Sequence, residues 1–368
     1  MNVTGLQLQN FRSYERLDAL FDPGVNLIVG DNAQGKTNLL ESLVYLSRGS
    51  SYRTRKEEDL IRWNQDFARL EAEIHTAQRE TNLVYALFRG PRRRQILLNG
   101  VKQKNATQTE DVLTTVLFCP EDLQLLRSGA SVRRRFLNDA ISQLRPRYKR
   151  AVSDYQRLYE SKSRILRDHF TKPSLLETLP DFNRQMAATG AVIISYRAQY
   201  CRRLRELTEK YHGICSGGNE LLSIHYQTVS TITDPFAPQQ VLFQQIMDHQ
   251  ERHYRAELDS GRCLTGPHKD DFEVFLDGHS LKSFGSQGQT RTAAIALKLS
   301  EREIARKDTG EEPVLLLDDV LSELDQGRQD FILNEIRSGQ VFITCCETEK
   351  VTTAGRVFSV KNGILAAE

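Results

Sequence analysis

The hydrophobic pattern of this 368-residue chain changes character several times. Residues 3–8 alternate apolar and polar, as a half-buried strand does. VNLIV at 25–29 is instead an unbroken apolar run ending in glycine, the pattern of a strand covered on both faces. NLLESLVYLS at 38–47 follows helical spacing, so strand, glycine loop and helix come in that order. From about 68 to 101 alternation returns in ARLEAEIHTA, TNLVYALFRG and QILLNGVKQ, and Asn99-Gly100 predicts a two-residue hairpin turn. VLFCPEDLQLL reads as a strand leaving into a loop at Pro120.

Between about 131 and 214 the spacing is helical. SVRRRFLNDAISQL and RYKRAVSDYQRLYESKSRILRDHF come first, and KPSLLETLP interrupts them. A further helix is predicted from Asp181 as N-cap to Gly213 as stop. Phe182, Met186, Ile193, Tyr200, Leu204, Leu207 and Tyr211 fall near one of its faces. About 30 residues at 1.5 Å each make an antiparallel helical arm of roughly 45 Å, a stub rather than a long coiled coil. Strands are expected at 220–230 and 271–277, a helix over TAAIALKLSEREIAR, strands at PVLLLDDV and QVFITCC, and a final hairpin at RVFSVKNGILA. Buried strands alternating with helices at both ends indicate an α/β core with a helical insertion.

Composition narrows the class. Hydrophobic residues at 39% and charged residues at 27% suit a soluble globular protein of more than one folding unit. No apolar run approaches 20 residues, and the N-terminus lacks a signal-peptide pattern, which points to the cytoplasm and away from the membrane. Six scattered cysteines with no C-x-x-C spacing read as reduced structural thiols. Net charge is only +2, yet arginines cluster at Arg92-Arg93-Arg94, Arg133-Arg134-Arg135 and Arg145 to Arg150. Such clusters bind phosphate backbones or form solvated faces, and both readings stay open.

The chemistry lies in two motifs. GDNAQGKT, Gly30 to Thr37, fits G-x-x-x-x-G-K-[ST] without mismatch and sits between an apolar strand and a helix. In such a loop, backbone N–H groups around Gly30, Asn32 and Gly35 face phosphate oxygens. Lys36 reaches the β- and γ-phosphates, and the Thr37 hydroxyl ligates Mg²⁺. Asn38 follows at the start of the helix. PVLLLDDV supplies the second half: Asp318 is placed for the metal, and Asp319 to accept a proton from, or orient, an attacking water. The cofactors read from these motifs are ATP and Mg²⁺.

SFGSQGQTR, residues 283–291, is a second glycine turn ahead of a helix, just upstream of the carboxylate strand. This is the arrangement of ABC-type ATPases, where the signature turn closes over the γ-phosphate held by a partner subunit. Ser286, Gly288 and Gln289 match the S-G-G-Q signature with Gln287 in place of its first glycine, and SELD, ending at Asp325, looks like the D-loop. With NFRSY, FCPEDLQLL, RRRFL and TGPHKDDF, these motifs resemble the RecF family end to end. These are bacterial DNA replication and repair ATPases related to SMC proteins.

The resemblance implies an SMC-like, ABC-type P-loop ATPase head of α/β class. Its core lobe would comprise 1–120 and 305–368, and a helical second lobe, 121–304, would carry a short antiparallel arm and the signature. It also implies a cytoplasmic protein that binds DNA, duplex and single-strand gap junctions included, in an ATP-dependent way. Such a protein is a homodimer on ATP and a weak, DNA-stimulated ATPase. It acts with RecO and RecR to place RecA at gaps and takes part in the SOS response. An ABC transporter subunit and an ATP-switched interaction protein share part of this motif set. Three features depart from the ABC pattern. Cys345 stands at or near the usual switch histidine, Asp319 replaces a glutamate, and the Q-loop has only Gln124 as a candidate. The first two imply slow turnover. SYRTRKEEDLIR resembles the arginine loop of SMC heads, with Arg53 or Arg55 toward nucleotide or DNA. His268 and Lys269 read as structural, and Trp63 as a core residue.

Overall fold

Strands made of unbroken apolar runs must be covered on both sides, and this requirement organises the protein. The computed structural model describes residues 1–90, 94–104, 109, 111–336, 338–346 and 355–367. The chain forms two units, Met1–Leu123 with Lys298–Glu368, and Gln124–Leu297. Arg92 and Arg93 of the first arginine cluster lie outside the described residues.

The first unit begins with β1 (Asn2–Phe11), β2 (Tyr14–Leu20), β3 (Val25–Val29) and α1 (Lys36–Arg48). It continues with β4 (Phe67–His75), β5 (Glu80–Phe88), β6 (Arg94–Leu98), β7 (Val101–Gln103) and β8 (Thr115–Phe118). The second unit carries α2 (Ala130–Leu144), α3 (Pro146–Asp168), α4 (Leu179–Ser216), β9 (Leu222–Gln227), α5 (Gln239–Ser260), β10 (Asp271–Leu276), β11 (His279–Ser280) and α6 (Leu281–Phe284). The unit boundary falls within α7 (Gln287–Thr309), after which the chain adds β12 (Val314–Leu317), α8 (Gln326–Glu335), β13 (Val341–Cys345), β14 (Arg356–Lys361) and β15 (Ile364–Ala367) to the first unit.

Two six-stranded sheets build the first unit. One has the order β2-β1-β4-β5-β6-β7 and is antiparallel throughout; the other is β15-β14-β3-β13-β12-β8, parallel except at β15. Helix α1 packs on strands of both sheets, and one core joins its Leu39, Leu40 and Leu43 to Leu6, Leu70 and Tyr85 of the first sheet and Phe342 and Phe358 of the second. Asn99 and Gly100 take positive φ, 49° and 77°, and close the predicted hairpin between β6 and β7. Strand β2 was hidden in the sequence because its alternation is broken by charge. It pairs with β1 through a tight turn at Arg12-Ser13, with φ of Arg12 at 52°.

The second unit sets a three-stranded sheet, β11-β10-β9, against helices. Helices α3 and α4 pack on each other, as the predicted arm requires, but the ends of α4 differ from expectation. The helix starts after Thr178 with Pro180 in its first turn, and Asp181 lies inside that turn rather than at the cap. It runs through Gly213, whose position is uncrowded, and stops at Gly217 with φ 70°, where Gly218 N–H donates to Gly213 O at 2.8 Å. Helix α5 was not expected. Its buried stripe mixes Leu242 and Ile246 with His249, Gln250 and Glu257, so no apolar period announces it.

Buried charge holds this unit together. Arg197 of α4 donates to Asp270 Oδ2 at 2.8 Å, Pro267 O at 2.7 Å, Asn138 Oδ1 at 3.0 Å and Tyr148 Oη at 3.1 Å. Asp270 also accepts from the Tyr226 and Thr228 hydroxyls. Arg133 forms a two-point pair with Asp271 at 2.7 Å on each oxygen, and Arg134 donates to Asp270 O. Two of the three arginines at 133–135 are therefore internal fasteners. His268 is held between the Tyr155 hydroxyl at Nδ1, 2.8 Å, and Cys263 O at Nε2, 3.2 Å. The carbonyl can only accept, so Nε2 carries the proton and Nδ1 accepts from tyrosine. Burial lowers the pKa of His268 to about 4.

Two outcomes follow from these networks. Arg197→Met leaves Asp270 as an uncompensated buried charge and should cost about 3–5 kcal/mol in denaturant unfolding. His268 has a folded pKa below its unfolded value, so the stability it contributes is complete above about pH 6.5 and is lost as pH falls toward 4. His268→Gln should flatten that part of the stability–pH curve, by an amount on the order of 3 kcal/mol.

Candidate functional site

Strands β3, β12 and β13 run parallel, so their C-terminal ends share one edge of the sheet. Each ends in a polar segment: the Gly30–Thr37 loop after β3, Asp318 and Asp319 after β12, and Cys346 after β13. Gly30 donates to Cys345 O at 3.3 Å, and a Cβ on it would lie 2.4 Å from Val360 O, so only glycine fits. Gly35 has φ 120°, and a Cβ there would lie 2.8 Å from Ser13 Oγ. It is the N-cap of α1, which has no side-chain cap and no acid in its first turn. The first N–H groups of the helix are thus left to an anion.

Lys36 is 3% exposed; its Nζ donates to Gly30 O and lies 3.4 Å from Cys346 Sγ and 3.9 Å from Asp319 Oδ1. The Thr37 hydroxyl donates to Asp318 Oδ1 at 3.0 Å, joining motifs 281 residues apart. Thr344 donates to the same oxygen at 3.1 Å, and the Tyr52 hydroxyl to Oδ2 at 3.1 Å. Burial pushes the Asp318 carboxyl above its ordinary range, and the three hydrogen bonds act in the opposite direction. Asp319 is partly exposed, donates its N–H to Thr344 Oγ1 at 2.8 Å and takes φ 50°, a conformation aspartate tolerates better than most residues.

The oxygen donors Thr37 and Asp318 have the hardness Mg²⁺ requires. Among the described residues no group of three or more His, Cys, Asp or Glu forms a metal cage.

Several supporting residues were not legible as such. Ser13 and Tyr14 of NFRSY buttress the loop: Ser13 Oγ accepts from Asn38 Nδ2 at 2.9 Å, and Tyr14 Oη donates to Gly35 O at 3.0 Å. The β14–β15 turn grips the loop from another side, with Asn362 N–H on Gln34 Oε1 at 2.6 Å and Gly363 N–H on Gln34 O at 3.1 Å. Asn38 spends its side chain on Ser13 and on Arg53, which donates to Asn38 Oδ1 at 2.9 Å and pairs with Glu41. Of the two arginines left open by the sequence, Arg53 is the one placed against this helix.

One expectation is narrowed and one corrected. Of the two cysteines at or near the switch-histidine position, Cys345 is buried at the end of β13, and the side chain meeting Lys36 and Asn32 is that of Cys346, with its Sγ 3.3 Å from Asn32 Oδ1. Trp63 is 88% exposed rather than core; it sits in a turn ahead of β4, next to Asn64 at φ 61°. Asp325 is the N-cap of α8, accepting from Arg328 N–H at 3.1 Å.

In the second unit, Ser286 and Gln289 form a capping box at the start of α7. Gln289 N–H donates to Ser286 Oγ at 3.2 Å, and Ser286 N–H donates to Gln289 Oε1 at 2.8 Å. The helix begins at Gln287, inside the glycine turn, and Gly288 is in its first turn. Ser286 and Gln287 are exposed.

The sequence matches the RecF/RecN/SMC N terminal domain family over residues 2–364. DNA replication and repair protein RecF of Listeria monocytogenes is 37% identical over 358 residues, 95% of this chain and 94% of that protein. The RecF protein of Lysinibacillus sphaericus is 33% identical over 99% of both chains. Among solved structures, the recombination mediator protein RecF-ATPrS of the RecFOR pathway superposes with a TM-score of 0.93 at 31% identity, covering 100% of this chain and 98% of that one. The Smc head domain derived from Pyrococcus furiosus, at 15% identity and a TM-score of 0.56 over 100% of this chain and 95% of that one, shares the fold alone. With its family match spanning nearly every residue and its fold that of RecF and SMC heads, the chain belongs to the RecF family of DNA replication and repair proteins, ATPase heads of the ABC type.

Proposed function

We propose that this protein is an ATP-gated DNA-binding switch, in which two copies pair around two bound nucleotides. The observation that carries the reading is the Thr37–Asp318 contact at 3.0 Å, beside Lys36 and at the open start of α1. Gly30, Asn32, Gly35, Lys36 and the Thr37 and Asn38 backbone would hold the triphosphate of ATP. Thr37 and Asp318 would hold Mg²⁺, which supplies charge neutralisation on the phosphates when bound. Asp319 lies beyond Lys36, where a carboxylate can orient water or accept its proton.

Ser286, Gly288 and Gln289, with Asp325, would face the triphosphate of the second copy. Related support comes from a solved RecF-ATP structure, 31% identical to this chain. Contacts made only in the pair couple nucleotide state to association. A thiol at Cys346 is a poor hydrogen-bond donor, and aspartate at 319 is one methylene shorter than glutamate. Both favour slow hydrolysis, suited to holding a state and then releasing it; stimulation by DNA is the part of the reading that rests on the family resemblance.

DNA would be held chiefly through phosphates, at duplex and gap junctions, by exposed arginines such as Arg135, Arg147 and Arg150. RecO and RecR are the partners this reading adds, with RecA placed as the outcome, in the cytoplasm. Among the described residues no helix is long and apolar enough to cross a membrane.

Sizing with ATP, ADP and no nucleotide tests the reading. Lys36→Met should abolish the ATP-induced dimer by losing nucleotide binding. Ser286→Arg should bind ATP as a monomer yet weaken pairing by at least ~30-fold, the equivalent of about 2 kcal/mol. Equal pairing by Ser286→Arg and wild type would remove the trans role of the signature. With ATP, DNA affinity should fall steeply with salt, and Arg147→Gln or Arg150→Gln should each reduce the log–log slope by about 0.9 where it neutralises one phosphate. No DNA binding by the ATP-bound protein would leave a pure interaction switch.

A further inference from the structure

The capping box at Ser286 leaves one part of Gln289 uncommitted. Its side-chain oxygen accepts from Ser286 N–H, but its amide nitrogen carries two hydrogens. One of them goes to Glu220 Oε1 at 2.8 Å. Glu220 lies between α4 and β9, and its backbone is fixed by the next residue: Leu221 N–H donates to Asp277 Oδ1, and Asp277 N–H returns to Leu221 O, both at 2.9 Å. The other Glu220 oxygen is 3.6 Å from Nε2 of His212, which is fully buried near the end of α4. On the opposite flank, Arg127 donates to Gly285 O at 2.6 Å and to Thr290 Oγ1 at 3.2 Å. The signature turn is therefore braced from two sides, and only one brace touches a signature side chain.

We propose that Glu220 is a positioning residue for the signature: it pins the Gln289 amide so that the second N–H and the Ser286 hydroxyl are preset for the triphosphate of a second copy. The proposal rests on the trans reading of the signature given above. A carboxylate so close to an incoming anion is a cost in Coulomb terms unless its charge is already engaged. Its use here lies in the strength of a charge-assisted hydrogen bond, which holds a flexible glutamine in one rotamer before the partner arrives. His212 Nε2, at 3.6 Å, is beyond hydrogen-bond reach of the same carboxylate, so the Gln289 amide is the side-chain partner that the brace serves.

The test is a double-mutant cycle on the full-length protein, read as the dimer dissociation constant with ATP. Glu220→Ala should weaken pairing by up to about tenfold, the cost of ordering the freed Gln289 side chain when the partner arrives, while monomer binding of a fluorescent ATP analogue stays unchanged and the melting temperature falls by only a few degrees. Glu220→Gln retains an acceptor oxygen and should pair within about threefold of wild type. In a Gln289→Ala background, Glu220→Ala should have no further effect, because the contact it serves is already gone. Wild-type pairing by Glu220→Ala, equal losses in the Ala and Gln variants, or additive losses with Gln289→Ala would each overturn the proposal. Ser286→Arg runs beside them. If it too pairs normally, the trans reading has failed; if it blocks pairing while Glu220→Ala does not, the positioning role alone has failed.

Discussion

Parallel strands with no polar face leave chemistry only one place to go. VNLIV, VLLL and VFITC are covered on both sides, so the polar residues that end them collect at the C-terminal edge of the sheet. That constraint brings Lys36, Thr37, Asp318, Asp319 and Cys346 together from opposite ends of the sequence. From the antiparallel sheet, Tyr14 at the start of β2 and Ser13 in the turn before it form a floor under the glycine loop and its helix.

The parts of this arrangement that were legible in the sequence are those whose physics is local. A glycine loop between an apolar run and a helical period announces itself, as does an Asn-Gly turn between alternating segments. What was not legible depends on distant partners. Nothing in the text around Tyr52 says that its hydroxyl will meet Asp318, 266 residues away. The ends of α4 were misjudged for a related reason. Asp181 and Gly213 are good capping residues, but Pro180 already lies in the first turn ahead of Asp181, and the left-handed Gly217 with Gly218 closes the helix instead of Gly213. Residue type alone points Trp63 to the core, whereas its place in a turn leaves it facing solvent.

Charge was the least readable property. Three consecutive arginines at 133–135 invite a nucleic-acid reading, yet Arg133 is nearly as buried as a leucine because Asp271 meets both arms of its guanidinium. The TGPHKDDF segment supplies the acids and carbonyls that make this possible, which gives a physical meaning to a motif otherwise known only by resemblance. Surface charge that survives such accounting is a smaller and more specific set than the sequence count suggests.

The grip of the C-terminal hairpin on the glycine loop has a consequence for biosynthesis. A ribosome delivers the loop well before its neighbours: Gln34 precedes its partner Asn362 by 328 residues, and Gly30 likewise waits for the carbonyl of Cys345. A nascent or prematurely terminated chain therefore exposes the loop without its backbone fasteners. The shape of the glycine loop is thus set by partners that arrive long after the loop itself, not by the loop's own sequence alone.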